Sequence, residues 1–303
     1  MKFLTFRLDG EEHWGYLEGE HVVVLQGPSL LDAIVQTGGR SDKMKNTPSK
    51  EVPAKDVKFM APIPRPPSMR DGYAFRQHVA TARRNRGLDM IPEFDKFPVF
   101  YFTNHQAVFG PGELPVQKWH LDKLDFELEV AVVIGKEGKN IKAVDADNFI
   151  FGYTVMNDWS ARTLQMEEMK LNLGPAKGKD FATSLGPVLV TRSELLGSGL
   201  LKDGPNGEVL NAAMRAFIND KQYSEGNVNQ MNWTFAQIIE RASYGVSLYP
   251  GDVIGSGTVG TGCLLELNGS KVTDNLWLKP GDVVRMEVDG LGTLENTIKL
   301  VEE

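Results

Sequence analysis

The segment from Asp125 to Gly135 constrains the fold more than any other part of the chain. It reads Asp-Phe-Glu-Leu-Glu-Val-Ala-Val-Val-Ile-Gly and is apolar at every position from Val130 to Ile134. Side chains of a strand alternate between its two faces, so a run without a polar position is typical of a strand buried on both faces. A chain of 303 residues is long enough for one large core and a small additional domain.

Two acidic residues, Glu127 and Glu129, enter this strand. With a period of two they point to the same face, opposite to Phe126, Leu128 and Val130. Two anions this close repel each other unless they share a cation or a proton, and ligands that offer only oxygen favour a hard ion such as Mg²⁺, Mn²⁺ or Ca²⁺. A polar strand edge that faces solvent is the alternative, and the pattern alone leaves both open.

A third acidic residue, Asp158, closes another apolar stretch that begins at Phe151. We predict a strand that ends at Asn157 and Asp158, followed by a short helix that runs to Gln165. Asp158 is a candidate cation ligand. Asp158 or Ser160 can instead cap that helix, and capping is the simpler explanation for this segment taken alone.

Lys179 lies in a loop between Gly178 and Pro187, and this loop leads into an apolar strand that ends at Thr191. A lysine in such a loop is usually solvated. Because Lys179 follows a flexible glycine and shortly precedes an apolar strand, a lysine that faces a cavity is the second interpretation.

His78 lies in a stretch with helical periodicity, from about Ala74 to Arg86. A histidine on an apolar helix face is more often a packed core residue than a catalyst, although the pKa of histidine suits a base near neutral pH. Three arginines at the end of this stretch, Arg83, Arg84 and Arg86, are typical of a solvated helix end. The alternative is that one of them binds a substrate carboxylate.

Two further acidic residues have simple structural explanations. Asp71 can cap the helix that contains His78. Glu266 can occupy a polar position in a strand. The remaining histidines match no metal-ligand spacing and are assigned to the structure or the surface: His13, His21, His105 and His120.

Five segments in a fixed order carry a resemblance that the single residues do not. They are Asp71-Gly-Tyr-Ala-Phe-Arg-Gln-His78, Phe126-Glu-Leu-Glu129, Asn157-Asp-Trp-Ser-Ala-Arg-Thr-Leu-Gln165, Gly178-Lys-Asp-Phe-Ala-Thr183 and Gly255-Ser-Gly-Thr-Val-Gly-Thr-Gly-Cys-Leu-Leu-Glu266. Each segment is a weak signal, but the five with their spacing resemble the fumarylacetoacetate hydrolase superfamily. The resemblance implies a strand-rich mixed α+β fold. A rolled β-sheet would form the catalytic domain, residues 61–303, and residues 1–60 would form a small N-terminal α+β domain and linker.

The resemblance also implies a role for each matched residue. Four carboxylates are expected to hold a divalent cation: Asp71, Glu127, Glu129 and Asp158. His78 is expected to activate water as a base, and Glu266 is expected to orient that histidine. Three polar residues are expected to bind the oxo and carboxylate oxygens of the substrate: Arg162, Gln165 and Lys179. The positive charge of the arginine and the lysine suits stabilisation of an enolate. Three residues are expected to line the site: Tyr73, Thr183 and Thr258.

The activity implied by the resemblance is hydrolysis of a carbon–carbon bond in a small 2,4-dioxo acid, similar to fumarylacetoacetate or an acylpyruvate. The pair of His78 and Glu266 favours hydrolysis. The implied enzyme is a homodimer that uses Mg²⁺, with Mn²⁺ or Ca²⁺ as alternatives. The family also contains decarboxylases, hydratases and isomerases of related oxo-dicarboxylates such as oxaloacetate, and these remain the alternative. A non-catalytic scaffold of the same fold fits less well, because all the matched positions are filled.

Two parts of the chain depart from the animal fumarylacetoacetate hydrolase pattern. The N-terminal region is shorter, and the stretch from Arg84 to Leu124 matches only loosely. These parts contribute much of the substrate-facing lid in that family, so the resemblance does not define the acyl group.

Composition excludes several classes of function. A net charge of -7 and a sequence pI of about 5.4, without a sustained basic stripe, argue against a nucleic-acid partner. The single cysteine, Cys263, excludes an internal disulfide and is typical of a reducing compartment. No apolar run approaches the ~20 residues that a membrane helix requires. We therefore expect a soluble, cytoplasmic protein, and the resemblance implies that its partner is a small oxo acid.

The N-terminal region alternates like a set of short strands. The predicted elements are strands at Lys2–Leu8, Glu12–Leu17 and Val22–Leu25, a hairpin turn at Asp9-Gly10 and a helix after Ser29. A polar stretch from Gly38 to Lys55 and a proline-rich segment at residues 61–67 predict a linker. Later in the chain, the clearest helix runs from Thr234 to Ser243.

Overall fold

The structure is a computed structural model that describes residues 1–44, 48–172 and 174–302. Its strands are, in chain order, β1 (Lys2–Leu8), β2 (Glu11–Glu18), β3 (His21–Leu25), β4 (Pro48–Pro53), β5 (Lys58–Phe59), β6 (Met69–Gly72), β7 (Phe100–Phe102), β8 (Val108–Phe109), β9 (Gly112–Val116), β10 (Leu124–Asp125), β11 (Leu128–Ile134), β12 (Gly138–Lys139), β13 (Ile150–Asp158), β14 (Ser160–Ala161), β15 (Thr183–Thr191), β16 (Leu201–Lys202), β17 (Val209–Leu210), β18 (Ala213–Ile218), β19 (Lys221–Asn227), β20 (Ser247–Leu248), β21 (Val253–Gly255), β22 (Val283–Val288) and β23 (Gly292–Leu300). Its α-helices are α1 (Leu30–Thr37), α2 (Arg76–Arg84), α3 (Ala143–Ala146), α4 (Arg162–Met169), α5 (Arg192–Ser198), α6 (Phe235–Ala242) and α7 (Leu264–Gly269).

A large mixed sheet forms the frame of the molecule. Within the described residues its order is β4–β3–β2–β1–β15–β13–β11–β21–β6–β7, with β5 beside β1 and β8 beside β15. Neighbours along this order are antiparallel except β21 and β6, which are parallel. A second sheet, in the order β19–β18–β22–β23–β9, packs against it. This strand-rich arrangement confirms the predicted mixed α+β class.

The core between the two sheets is apolar. Val132 and Val155 of the large sheet lie in the same buried cluster as Ala216, Met286 and Leu294 of the second sheet. Strands with one face in such a core and the other in solvent show alternating burial, and β18 and β22 both do so. The two sheets are therefore held together mainly by burial of apolar surface.

Strand β11 is buried on both faces, as its sequence predicts. Val130 and Val132 pack into the core between the sheets, whereas Ala131 and Val133 pack into a second core on the opposite face. The second core includes Ile34 of helix α1 and other side chains of the N-terminal region. Fully burying a valine stabilises a fold by roughly 1.5–3 kcal/mol, so β11 tolerates polar residues only where they have partners.

The N-terminal strands are part of the large sheet. Strand β1 pairs with β2 through a turn in which Asp9 and Gly10 have φ angles of 54° and 86°, and β1 also pairs with β15. The predicted strands, hairpin and helix α1 with its Ser29 cap are all present. The predicted linker differs from the structure, because residues 48–53 form the edge strand β4 beside β3. Residues 45–47 of that linker lie outside the described residues.

The positions of the helix starts exclude the capping roles that the sequence allows for three residues. Helix α4 begins after Ala161, so neither Asp158 nor Ser160 caps it. Asp71 lies in strand β6 and does not cap helix α2, which begins at Arg76. Helix α6 is one residue shorter at each end than predicted, because Thr234 and Ser243 are its caps, and Thr234 accepts a hydrogen bond from the Gln237 amide.

Glu266 lies in helix α7 and not in a strand. A short Leu-Leu-Glu-Leu run fits both periods, and tertiary packing decides between them. None of the helices in the described part of the chain is long and apolar enough to cross a membrane.

Candidate active site

Four buried carboxylates meet at the ends of three strands of the large sheet. Asp71 comes from β6, Glu127 directly precedes β11, Glu129 is the second residue of β11, and Asp158 is the last residue of β13. Each residue offers an oxygen, and these oxygens all lie within 4.8 Å of one another. Asp71, Glu127, Glu129 and Asp158 are at most 8% exposed. The sheet therefore concentrates four acids in a space that water barely reaches.

The electrostatics of this cluster are unfavourable unless a cation or protons are added. Burial, together with the Asp158 carboxylate, raises the pKa of Asp71 to about 8. Burial and the neighbouring Asp71 raise the pKa of Glu129 well above its usual range, and burial also raises the pKa of Asp158. Glu127 differs: burial opposes its ionisation, but Lys179 and Arg162 outweigh burial and lower its pKa to about 2.

The cluster has the donor set that a divalent cation requires. Glu129 Oε1 and Asp158 Oδ1 are buried and have no hydrogen-bond partner among the described residues. The Gly257 amide donates to Asp71 Oδ1 at 3.1 Å and to Glu129 Oε2 at 3.0 Å. A side chain at Gly255 would place its Cβ 2.4 Å from Asp71 Oδ1. Oxygen-only donors, two of them unpartnered, fit a hard divalent cation, which these four residues would hold.

Two buried cations border the carboxylates. Lys179 Nζ donates to Glu127 Oε2 at 2.6 Å and to Asp158 Oδ2 at 2.7 Å. Arg162 Nη2 donates to Glu127 Oε1 at 2.7 Å. Burial disfavours the Lys179 ammonium, but Asp158 and Glu127 outweigh burial and raise its pKa. The sequence allows either a solvated lysine or one that faces a cavity at position 179. In the structure Lys179 is buried and charged.

Arg162 is paired with a second carboxylate besides Glu127, that of Asp125. Arg162 Nε donates to Asp125 Oδ2 at 2.8 Å. Asp125 also accepts hydrogen bonds from the backbone amides of Leu264 and Leu265, the first residues of helix α7. Arg162 in turn donates to Gln165 Oε1 at 3.0 Å. The arginine therefore has a rigid position between the carboxylate cluster and helix α7.

His78 and Glu266 form a hydrogen-bonded pair at the edge of the cluster. His78 Nδ1 lies 2.7 Å from Glu266 Oε2, and both residues are buried. An ionised carboxylate only accepts hydrogen bonds, so Nδ1 carries the proton and Nε2 is left free to act as a base. Tyr73 packs edge-on against the imidazole, with ring centroids 5.9 Å apart. Packing and hydrogen bonding thus orient the histidine.

A cavity of about 330 Å³ opens beside these groups. The predicted site residues on its wall are Asp71, Tyr73, His78, Glu127, Arg162, Gln165, Lys179 and Thr258. Four others lie behind the wall: Glu129, Asp158, Thr183 and Glu266. Thr183 pairs with Asp158 across the sheet, and its buried hydroxyl has no partner among the described residues. The structure therefore brings all twelve residues together but gives only eight of them access to the cavity.

Other residues at the site either had an undecided role in the sequence or were not predicted. Of the three arginines at the end of α2, only Arg86 is on the cavity wall, at its exposed mouth. Tyr101 of β7 lines the cavity and donates a short hydrogen bond to Asp158 Oδ2. Asp125 begins the acidic segment that continues with Glu127 and Glu129, so its position in the sequence indicates a place near the site. Tyr101 lies in the stretch from Arg84 to Leu124, which matches the family only loosely, and its sequence context does not indicate a place in the site.

Apolar side chains form the rest of the wall. They include Val99 and Phe100 at the start of β7, Met166 and Met169 on helix α4, and Leu265 on helix α7. The wall therefore combines charged and apolar residues, which is the usual composition of a small-molecule site.

Comparison with known proteins agrees with this geometry. A sequence model described as Fumarylacetoacetate (FAA) hydrolase C-terminal matches residues 68–299. The chain belongs to the fumarylacetoacetate hydrolase family. This confirms the resemblance carried by the five segments. In this family member, residues 1–62 also match a model described as Rv2993c-like, N-terminal.

Relatives of this fumarylacetoacetate hydrolase family member include named enzymes. It is 32% identical to oxaloacetate tautomerase YisK of Bacillus subtilis over 80% of its own chain and 73% of the relative. It is also 32% identical to the mitochondrial oxaloacetate tautomerase FAHD2A of Homo sapiens, over 82% of its own chain and 71% of the relative. These relatives support an enzymatic role, and they favour the isomerase alternative over the hydrolase.

Solved structures share the family fold over the whole chain. A fumarylacetoacetate hydrolase from psychrophilic Exiguobacterium antarcticum superposes with a TM-score of 0.75 at 25% identity, covering 99% of this chain and 100% of that chain. A 5-carboxymethyl-2-hydroxymuconate delta-isomerase from Mycobacterium smegmatis has a TM-score of 0.71 at 25% identity with the same coverage. One fold thus accommodates proteins named for different reactions.

Proposed function

We propose that this protein is a divalent-cation-dependent isomerase that interconverts the keto and enol forms of a small 2-oxo dicarboxylate such as oxaloacetate. The observation that carries the proposal is the 2.7 Å pair of His78 Nδ1 and Glu266 Oε2, which leaves one free imidazole nitrogen beside a cavity that Lys179 and Arg162 also line. Tautomerisation needs one base that accepts and returns a proton, and this pair provides it. The two tautomerase relatives support the same reaction.

The reaction moves one proton and breaks no carbon–carbon bond. His78 Nε2 takes a proton from the carbon next to the oxo group, and the electron pair of that bond passes to the oxo oxygen. The imidazolium then returns the proton to this oxygen, which completes the enol. Glu266 stabilises the imidazolium through Nδ1 and keeps the ring oriented in both steps.

Positive charge on the cavity wall stabilises the enolate. A bound divalent cation would supply Lewis acidity toward the substrate oxygens. All four candidate ligands are carboxylates, which suit a hard ion, and Mg²⁺ is our preferred ion with Mn²⁺ or Ca²⁺ as alternatives. Lys179 and Arg162 add fixed positive charge in a site with little water. Arg86 at the cavity mouth is placed to bind the second carboxylate of the substrate.

Hydrolysis of a carbon–carbon bond is the second candidate. The same imidazole can take a proton from water, after which the hydroxide attacks a carbonyl and the departing carbon leaves as an enolate. The similarity to a solved fumarylacetoacetate hydrolase favours this reading. The two reactions differ in whether water is a reactant, because only hydrolysis places a water oxygen in a new carboxylate product.

The decisive experiment compares both reactions in one preparation. Enol oxaloacetate is followed by its ultraviolet absorbance with protein and Mg²⁺ or Mn²⁺, with the free metal alone and heat-denatured protein as controls for spontaneous conversion. Parallel reactions in ¹⁸O-labelled water contain oxaloacetate, an acylpyruvate or fumarylacetoacetate. We expect faster tautomerisation of oxaloacetate. Label in a newly formed carboxylate, with oxaloacetate conversion no faster than the metal control, would assign the protein as a hydrolase.

A further inference from the structure

We propose that His78, Glu127 and Cys263 form a second cation site, selective for a thiophilic ion such as Zn²⁺, next to the all-oxygen cluster. A ring nitrogen, a carboxylate oxygen and a sulfur from these three residues all lie within 4.8 Å of one another. All three residues are buried. The elements that bring them together are distant in the chain: helix α2, the entry to β11 and the start of helix α7.

The donor set distinguishes this site from the carboxylate cluster. A set of nitrogen, oxygen and sulfur suits Zn²⁺, whereas Mg²⁺ avoids sulfur. Zinc lies about 2.0–2.3 Å from each ligand, which places tetrahedral ligand atoms roughly 3.3–3.7 Å apart. Donors already within 4.8 Å reach that geometry by small movements of their side chains.

Access and coordination number are also consistent with an exchangeable ion. His78 and Glu127 are on the cavity wall, and Cys263 lies behind them. An ion from the cavity would therefore meet three protein ligands and keep one position open for water, as in exchangeable zinc sites. Binding converts the thiol to a thiolate, and the thiol proton passes to solvent.

Glu127 belongs to both sites, and this limits the affinity of the second one. Its Oε1 is held by Arg162 at 2.7 Å and its Oε2 by Lys179 at 2.6 Å. A zinc ion must compete with these two cations for the carboxylate. We therefore expect reversible binding, weaker than in a structural zinc site whose ligands have no other partner.

The functional consequence is inhibition, and this consequence rests on the proposed function. An ion bound at His78 Nε2 occupies the lone pair that would accept the substrate proton. Mg²⁺ at the carboxylate cluster would then support activity, while Zn²⁺ at the mixed site would block it. The site itself does not depend on which reaction the protein catalyses.

The test uses Co²⁺ as a spectroscopic probe for Zn²⁺ in the full-length protein. Because Glu127 is shared by the two sites, Co²⁺ is titrated both without Mg²⁺ and with Mg²⁺ in excess. The chain has one cysteine, so any thiolate-to-cobalt charge-transfer band belongs to Cys263. We expect this band in the wild type at one equivalent of Co²⁺. We expect no band in Cys263→Ser and Cys263→Ala, at least tenfold weaker Zn²⁺ binding in both, and at least tenfold weaker Zn²⁺ binding in His78→Asn.

Two results would overturn the proposal. One is a wild-type protein without the charge-transfer band, and the other is Zn²⁺ binding that is equal in the wild type and both cysteine variants. Near-ultraviolet circular dichroism and Mg²⁺ affinity establish that the variants are folded. X-ray absorption of the zinc-loaded wild type requires no variant: a sulfur neighbour at about 2.3 Å supports the site, and its absence overturns it. None of these measurements requires a substrate, so they do not depend on the isomerase proposal.

Discussion

Arg162 Nε and Asp125 Oδ2 form a 2.8 Å ion pair in which both side chains are buried. Asp125 also accepts from the first amides of helix α7, which carries Glu266. One carboxylate therefore links the arginine beside the carboxylate cluster to the helix that orients His78. The positions of the cation ligands and of the base are coupled through this residue.

Replacing Asp125 should damage stability and catalysis together. Asp125→Ala leaves the Arg162 charge buried without this partner, and losing one member of a buried pair typically costs about 3–5 kcal/mol. Urea unfolding measures this loss, and the double variant Asp125→Asn with Arg162→Gln should be less destabilised than the sum of the single variants. Additive losses would show that the two residues act independently. The exposed pair of Lys299 and Glu113 offers a matched control, for which we expect less than about 1 kcal/mol.

Removal of one carboxylate from the cluster should weaken cation binding. Glu129→Gln or Asp158→Asn removes a charged oxygen ligand, so we expect a loss of Mg²⁺ and Mn²⁺ affinity measured by calorimetry. Chelation of the wild type should abolish activity, and Mg²⁺ or Mn²⁺ should restore it. The exposed Glu113→Gln is the control and should bind the cation normally. Full activity after exhaustive chelation would contradict a metal-dependent reaction.

The cation-free protein should lose stability as the pH rises. The pKa of Asp71 is about 8 in the fold against 3.8 for the free side chain, so the folded state holds a proton that the unfolded state releases. This contribution is present in full below about pH 4 and is lost as the pH rises toward 8. We expect the melting temperature of chelated protein to fall across this range relative to Asp71→Asn. Mg²⁺ should reverse the trend, because the cation replaces the proton.

Removal of the base should affect turnover more than folding. His78→Ala should lower kcat by about 10²- to 10⁴-fold, the usual contribution of a general base. The control is His21→Gln, an exposed histidine in β3, for which we expect normal activity. If His78→Ala instead keeps near wild-type turnover but unfolds at lower urea concentration, the histidine is a core residue.

Arg86 should act on substrate binding and not on the proton transfer. It is at the cavity mouth, so Arg86→Gln should raise KM for a dicarboxylate by about tenfold or more, the loss of one charge-assisted hydrogen bond. A monocarboxylic 2-oxo acid should show a smaller change. Arg84→Gln is the matched control, because Arg84 is the last residue of helix α2, lies two positions before Arg86 and does not line the cavity. Equal effects in both variants would show that Arg86 has no specific contact with the substrate.

The sequence was most informative where local periodicity and chemistry coincide. The acidic entry to β11 predicted both a doubly buried strand and a paired carboxylate site, because a period of two determines which side chains share a face. It was least informative where the partner is distant. Tyr101 of β7 meets Asp158 of β13 although three strands, β11, β21 and β6, lie between theirs in the sheet order. Glu266 lies in a helix because packing overrides a four-residue pattern. The composition of strand β4 predicts a linker, because an exposed edge strand is as polar as a linker.

Strand β21, residues 253–255, joins the strand of Asp71 to the strand of Glu129. The amide that bridges these two carboxylates belongs to Gly257, just after β21. Asp71 and Glu129 are synthesised early, but their strands have no shared neighbour until residues 253–255 leave the ribosome. A nascent chain that ends before β21 therefore lacks the assembled cation site, and cation binding reports that this late strand has docked.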